Sequence, residues 1–167
     1  LLITAEPKQV GRLAAEFGMT FQSNQNSQSQ FNLTVGALSA PFNASGGELR
    51  ALLTIGSEPA LVGSWHQPLT AGGKYFSRVG AGYRQSLYTF GSIFETPVAQ
   101  YNRNELFLAA GLGRAFSNWG EAGIFAEVAA GDFEKQIGTP SYPEFNYQKR
   151  NFGVGFLVDT VDSLYLP

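Results

Sequence analysis

Few residues in this chain have types suited to chemistry, and their spacing is uninformative for catalysis. The single histidine, His66, lies between Trp65 and Gln67, with no cysteine in the chain and no carboxylate nearby in sequence. An imidazole works as a base or ligand when a neighbour orients it, so His66 reads as a strand-surface residue. Ser45, Ser57, Ser64 and Ser92 lack the flanking glycines of a G-x-S-x-G nucleophile elbow. Asp159 and Asp162 form a close carboxylate pair, yet residues three apart on a strand point to opposite faces, which argues against one shared site. A strand-ending, turn-capping role suits them better. Glu48 and Arg50 share one strand face, and Arg78 and Arg84 share another. These four read either as a solvated wall or as a polar conduit that a plugging segment could contact. No catalytic, metal or cofactor residue is expected, so the segment itself reads as non-enzymatic and cofactor-free.

The elements that must carry these residues are strands. Leu13, Ala15, Phe17, Met19 and Phe21 alternate with smaller or polar residues, a two-residue period. The pattern recurs over Phe31–Ala37, Glu48–Ile55, Tyr75–Arg84, the stretch around Leu106–Gly113, Ala122–Val128 and Phe152–Val158, with a weaker strand in "ALVGSWHQPL". That gives eight strands of about 9 to 13 residues and no helix. The loops fall at "SNQNSQSQ", "APFNASGG", "SEP", "LTAGGK", "LYTFGSIFE", "SNWG" and "EKQIGTPSYPEFNYQ". Gly18, Gly36, Gly80, Gly82, Gly111, Gly113, Gly153 and Gly155 all oppose the bulky apolar file.

Composition narrows the class. Of 167 residues only 14% are charged, with 20 Gly, 14 Phe and 7 Tyr, and the net charge is -2. That leaves no basic footprint for nucleic acid. Zero cysteines exclude disulfides and thiolate metal sites. Apolar runs such as "LFLAAGLG" fall short of the roughly 20 residues of a membrane helix, and "LLITAEPKQV" does not read as a signal peptide. "NLT" at Asn32 and "NAS" at Asn43 match glycosylation acceptors, a pattern that also arises by chance.

Two architectures fit the alternation. In a soluble sandwich the apolar file faces a core; in an up-and-down transmembrane β-barrel it faces lipid while glycine and polar residues face a lumen. Long strands favour the barrel. So do aromatics near strand ends, namely Phe17, Phe21, Phe31, Trp65, Tyr75, Tyr83, Tyr101 and Trp119. Charges confined to the glycine side, Arg12, Glu16, Glu48, Arg50, Arg78, Arg84 and Glu127, add a third argument.

The ending "VDTVDSLYLP" resembles the strand-and-turn signature of the bacterial surface antigen barrels, the superfamily of outer-membrane assembly and translocation porins. Asp159, Asp162, Tyr165 and Pro167 match its Asp-rich strand end, aromatic and proline. Lys8, Gly11 and "EFGMTF" are similar to the junction between a periplasmic POTRA repeat and the first barrel strand, with Arg12 and Leu13 replacing the usual Pro-Asn. The strand spacing and Gln67-Pro68-Leu69 look most like the branch fused to patatin-like phospholipases.

The resemblance implies that residues 1-9 end a POTRA-like repeat and that 10-167 form a barrel segment, expected to be the first half of sixteen strands. Closure with eight strands is the alternative. It implies location in the outer membrane of a Gram-negative bacterium and contact with outer-membrane lipid. It also implies a role in anchoring and helping to translocate or display a patatin-like phospholipase domain upstream in the same polypeptide. A homo-oligomer is a further possible partner. A general assembly or translocation porin without lipase, and a soluble all-β module that binds carbohydrate, are the competing functions.

Overall fold

The computed structural model of the chain describes residues 13–23, 29–90, 99–117, 119–138 and 143–158. Among these it is all-β. The strands are β1 (Leu13–Ser23), β2 (Ser29–Ser39), β3 (Glu48–Gly56), β4 (Ala60–Pro68), β5 (Tyr75–Phe90), β6 (Ala99–Ala115), β7 (Gly120–Ile137) and β8 (Phe145–Val158). Each pairs antiparallel with its sequence neighbours, giving one eight-stranded up-and-down sheet in the order β1 to β8.

Local chemistry sets the turns between strands. At Pro41–Gly47 the Asn43 Oδ1 accepts hydrogen bonds from Ser45 N at 3.1 Å and Gly47 N at 2.9 Å. Its Nδ2 donates to Gln67 Oε1 at 2.6 Å, which ties the turn to β4. This side chain mimics a backbone turn, as Asn commonly does. The β4–β5 turn, Leu69–Lys74, needs Gly72 and Gly73 because their φ values are +89° and +70°, a region that side chains disfavour.

Strict alternation gives the sheet two unlike faces. Register places Leu13–Phe21, Phe31–Ala37, Leu49–Ile55, Leu61–Trp65, Tyr75–Tyr83, Leu106–Leu112, Ala122–Ala130 and Phe152–Val158 so that their apolar files share one face. This face is uncovered among the described residues: Phe17 is 80% and Val154 74% exposed. The buried hydrophobic residues Phe76, Ala99, Tyr101 and Ala129 lie on the opposite, glycine-bearing face. Exposure is thus inverted relative to a half-solvated soluble sheet, whose apolar face is the covered one.

The apolar files form a belt that crosses the strands obliquely. From Phe17, the middle of the β1 file, successive cross-strand partners are Val35, Leu53, Leu61, Tyr83, Leu106, Ala130 and finally Gln148. Gln148 lies outside the β8 file and seven residues before its middle, Gly155. The drift is therefore one residue per strand. At about 3.3 Å per residue and 4.8 Å between strands, the strands tilt roughly 35° from the belt's normal. The nine-residue files of β1, β5 and β7 then give a belt about 22 Å tall.

The strand count matches the sequence expectation, while several boundaries differ. "LYTFGSIFE" and "EKQIGTPSYPEFNYQ" are expected as loops, yet Leu87–Phe90, Glu134–Ile137 and Phe145–Gln148 are strand. The strands overshoot the belt because pairing continues through Leu87 with Asn102 and Tyr88 with Tyr101. An aromatic cluster holds this overhang: Phe133 stacks on Phe145 at 4.8 Å and packs against Tyr88, Tyr101 and Tyr147. The polar residues beside these aromatics make the segments read as loop.

Candidate functional site

The candidate site is the glycine-bearing face. Its organising device is a glycine on one strand with long side chains on the flanking strands, which meet over the gap. Glu105 on β6, Gly131 on β7 and Tyr147 on β8 are successive register partners. With no side chain at 131, the Tyr147 hydroxyl crosses β7 and donates to Glu105 Oε2 at 2.6 Å. A Cβ at 131 would meet the Asn104 carbonyl oxygen and the Tyr147 ring.

Glu105 has no solvent exposure, and cations surround it. Arg84 Nε donates to Glu105 Oε1 at 2.6 Å, and its Nη2 reaches the same oxygen. Lys149 Nζ bridges Glu105 Oε2 at 3.5 Å and Glu127 Oε1 at 2.9 Å. Arg84 also approaches Glu127 at 3.6 Å and lies over the Phe107 ring at 4.6 Å. Two carboxylates thus face two cations, and a phenol fills one remaining acceptor site. Buried charges persist only with such pairing.

Nearer the end that carries the Leu69–Lys74 turn, the pairs are more exposed. Arg50 on β3 reaches across β2 to Glu16 on β1 at 2.7 Å. Arg78 grips both oxygens of Glu121 on β7, at 2.7 and 2.9 Å, across the glycines of β6. Its Nε also donates to His66 Nδ1 at 3.3 Å, and the His66 ring packs 5.1 Å from Phe76.

Glycines on this face also seat aromatic rings. Phe76 lies over its register partner Gly113, and Phe125 over Gly153. Phe107 approaches Gly82 in the same way. An aromatic side chain covering a cross-strand glycine restores the packing that the glycine lacks. The glycine-bearing face is therefore covered in part by its own aromatics.

The four sequence-selected polar residues all lie on this face. Glu48, Arg50 and Arg78 line one recess together with Ser64 and His66. Arg84 sits apart, in the Glu105 cluster. The strand-end residues Asp159, Asp162, Tyr165 and Pro167, the POTRA-like stretch 1-9, and Arg12 lie outside the described residues. Tyr101, expected among the strand-end aromatics, is buried on the glycine face because it has the parity opposite to Leu106. Phe17 belongs to the middle of the belt rather than its edge.

Sequence reasoning missed Glu105, Glu121, Tyr147 and Lys149. Their parity relative to the apolar files was a usable signal for the first two. Tyr147 and Lys149 fall in or beside a stretch that reads as loop, and the partner they share, Glu105, lies two strands away.

Chemically the face offers paired charges among its described residues. Among the described residues no group of three or more His, Cys, Asp or Glu converges as a metal site. The apolar face ends at one rim in a polar ladder: Tyr83 hydroxyl donates to Asn104 Oδ1 at 3.0 Å, and Asn104 Nδ2 donates to Asp132 Oδ2 at 2.9 Å. No family model, curated protein sequence or solved structure matches the chain.

Proposed function

We propose that this chain is wall of an outer-membrane β-barrel, with the apolar belt against lipid and the charged glycine face towards a hydrated lumen. The observation that carries this reading is the uncovered belt, oblique to the strands by roughly 35° and about 22 Å tall. Transmembrane barrels tilt their strands by about 35–45° and carry an apolar band of about 25 Å. Aromatics at the belt's edges support the same reading: Phe21, Phe31 and Tyr83 at one rim, Trp65, Tyr75 and Trp119 at the other. The compact turns Pro41–Gly47 and Leu69–Lys74 mark the periplasmic end, and the overhang of β5 to β8 marks the outside.

Among the described residues the outer edges of β1 and β8 have no partner strand, and unpaired backbone is costly in lipid. Further strands of the same polypeptide, in a sixteen-stranded barrel, would close them. The resemblance of "VDTVDSLYLP" and Gln67-Pro68-Leu69 to the patatin-fused branch supports the finer role: anchoring and helping to display an upstream phospholipase domain of the same chain.

Two measurements test this. The full-length protein should require detergent or lipid to remain folded and monodisperse, and a soluble monomer without either contradicts the barrel. Protease treatment of intact cells should release a serine-dependent phospholipase carried by the same polypeptide. Finding no phospholipase on that polypeptide leaves the barrel and removes the lipase role.

A further inference from the structure

Among the described residues, the belt's periplasmic rim carries two cations, while the nearby acids Glu48 and Glu121 lie on the opposite, glycine-bearing face. The three turns at that end, Ala40–Gly47, Leu69–Lys74 and Phe116–Trp119, contain no Asp or Glu, and the basic residues there are Lys74 in a turn and Arg114 at the end of the β6 file. Both are exposed. Neither has a carboxylate partner among the described residues.

Aromatic rings hold both cations in place. Tyr75 and Arg114 are register partners. Lys74 Nζ lies 5.7 Å and Arg114 Cζ 5.9 Å from the Tyr75 ring centroid, so one ring is flanked by two positive charges. Arg114 also sits 5.2 Å from Phe116, which stacks on Trp119 at 5.1 Å, with Phe156 edge-on to both. Between the β4–β5 and β6–β7 turns lies a recess of about 320 Å³, bordered by Gly72, Lys74, Arg114, Ala115, Phe116 and Ser117, with Tyr75, Trp119 and Phe156 adjoining through their contacts to Arg114 and Phe116. Two cations with no carboxylate partner among the described residues, beside Phe116 and the adjoining aromatics at the edge of an apolar belt, match a ligand that carries an anion at one end and hydrocarbon at the other.

We propose that this recess binds the phosphate of an anionic phospholipid in the inner leaflet, with Lys74 and Arg114 as its cationic contacts and Phe116, Trp119 and Phe156 against the acyl-glycerol part. The inference rests on the membrane reading above, which places this rim at the headgroup level. The phosphate is recognised by charge and the chains by the adjoining belt, so a soluble phosphate satisfies only half of the site. Each basic residue near an anionic surface favours binding by about fivefold, so the pair sets a preference of up to about 25-fold.

The test uses the folded full-length protein in nanodiscs or micelles doped with phosphatidylglycerol, phosphatidylcholine or, separately, inorganic phosphate. Retained lipid is counted by native mass spectrometry and melting is followed by gel shift. The wild type should retain phosphatidylglycerol over phosphatidylcholine and melt higher with it. Lys74→Gln with Arg114→Gln should abolish that preference, and Lys74→Arg with Arg114→Lys should keep it. Equal retention of the two lipids by an inserted wild type overturns the site while leaving the barrel standing. An equal rise in melting with inorganic phosphate alone overturns the lipid as ligand. Failure of the protein to enter either membrane mimic overturns both readings.

Discussion

Replacing Tyr147 by Phe removes one oxygen, and its effect should depend on Glu105. The hydroxyl donates at 2.6 Å to a carboxylate with no solvent exposure. A hydrogen bond to a charged acceptor contributes about 1.5–3 kcal/mol, so Tyr147→Phe should destabilise by about 2 kcal/mol. Glu105→Ala removes the acceptor and leaves Arg84 and Lys149 with Glu127, which both still reach. Breaking a fully buried pair costs about 3–5 kcal/mol. Here the cost should fall to roughly half of that, because Arg84 and Lys149 are 33% and 31% exposed and water can solvate them. In the Glu105→Ala background Tyr147→Phe should then cost close to nothing, a coupling of about 2 kcal/mol. The assay is urea unfolding of the folded full-length protein in lipid vesicles, followed by gel mobility and tryptophan fluorescence. Additive effects of the two substitutions would refute the argument that Tyr147 acts through Glu105 across Gly131.

Other substitutions probe separate parts of the sheet. Gly131→Ala should destabilise by about 1–3 kcal/mol, because its methyl meets the Asn104 carbonyl and the Tyr147 ring; a neutral result in the same unfolding assay refutes the gap-bridging geometry. Asn43→Ala should cost about 1–2 kcal/mol through loss of its turn bonds and its link to Gln67, while Asn43→Asp, which keeps the two acceptor bonds, should recover part of it. Arg50→Ala should change stability by no more than about 1 kcal/mol, since the Arg50–Glu16 pair is exposed, and the change should shrink further in high salt.

How much of this was legible in the sequence follows from which interactions are local. Alternation along each strand reveals eight strands and sorts residues such as Leu53 and Thr54 onto opposite faces, because side-chain direction on a strand has a period of two. The turn at Asn43 is readable from its own residues. The overhang was hidden because Leu87–Phe90 and Glu134–Ile137 mix aromatic with polar residues, and only cross-strand packing of Phe133 with Tyr88 and Phe145 reveals their pairing. The Glu105 cluster was hidden for a stronger reason. It joins residues 84, 105, 127, 147 and 149 from four strands, and no spacing along the chain encodes contacts between strands once removed. The oblique drift of the belt also needs the register, since each strand's file is visible alone but its offset from the next is not.

The most direct test of the central claim compares two adjacent positions on β3. Leu53 lies in the belt between Val35 and Leu61, and Thr54 on the opposite face bonds Thr34 at 2.9 Å. If the belt contacts lipid, Leu53→Arg should cost about 2–4 kcal/mol in a reversible vesicle folding assay, whereas Thr54→Arg should cost about 1 kcal/mol for the lost hydrogen bond. Val79→Arg, at the middle of the β5 file, should behave like Leu53→Arg. Equal costs at Leu53 and Thr54, or an insertion yield indifferent to Leu53→Arg and Val79→Arg, would contradict the assignment of the apolar belt to the membrane.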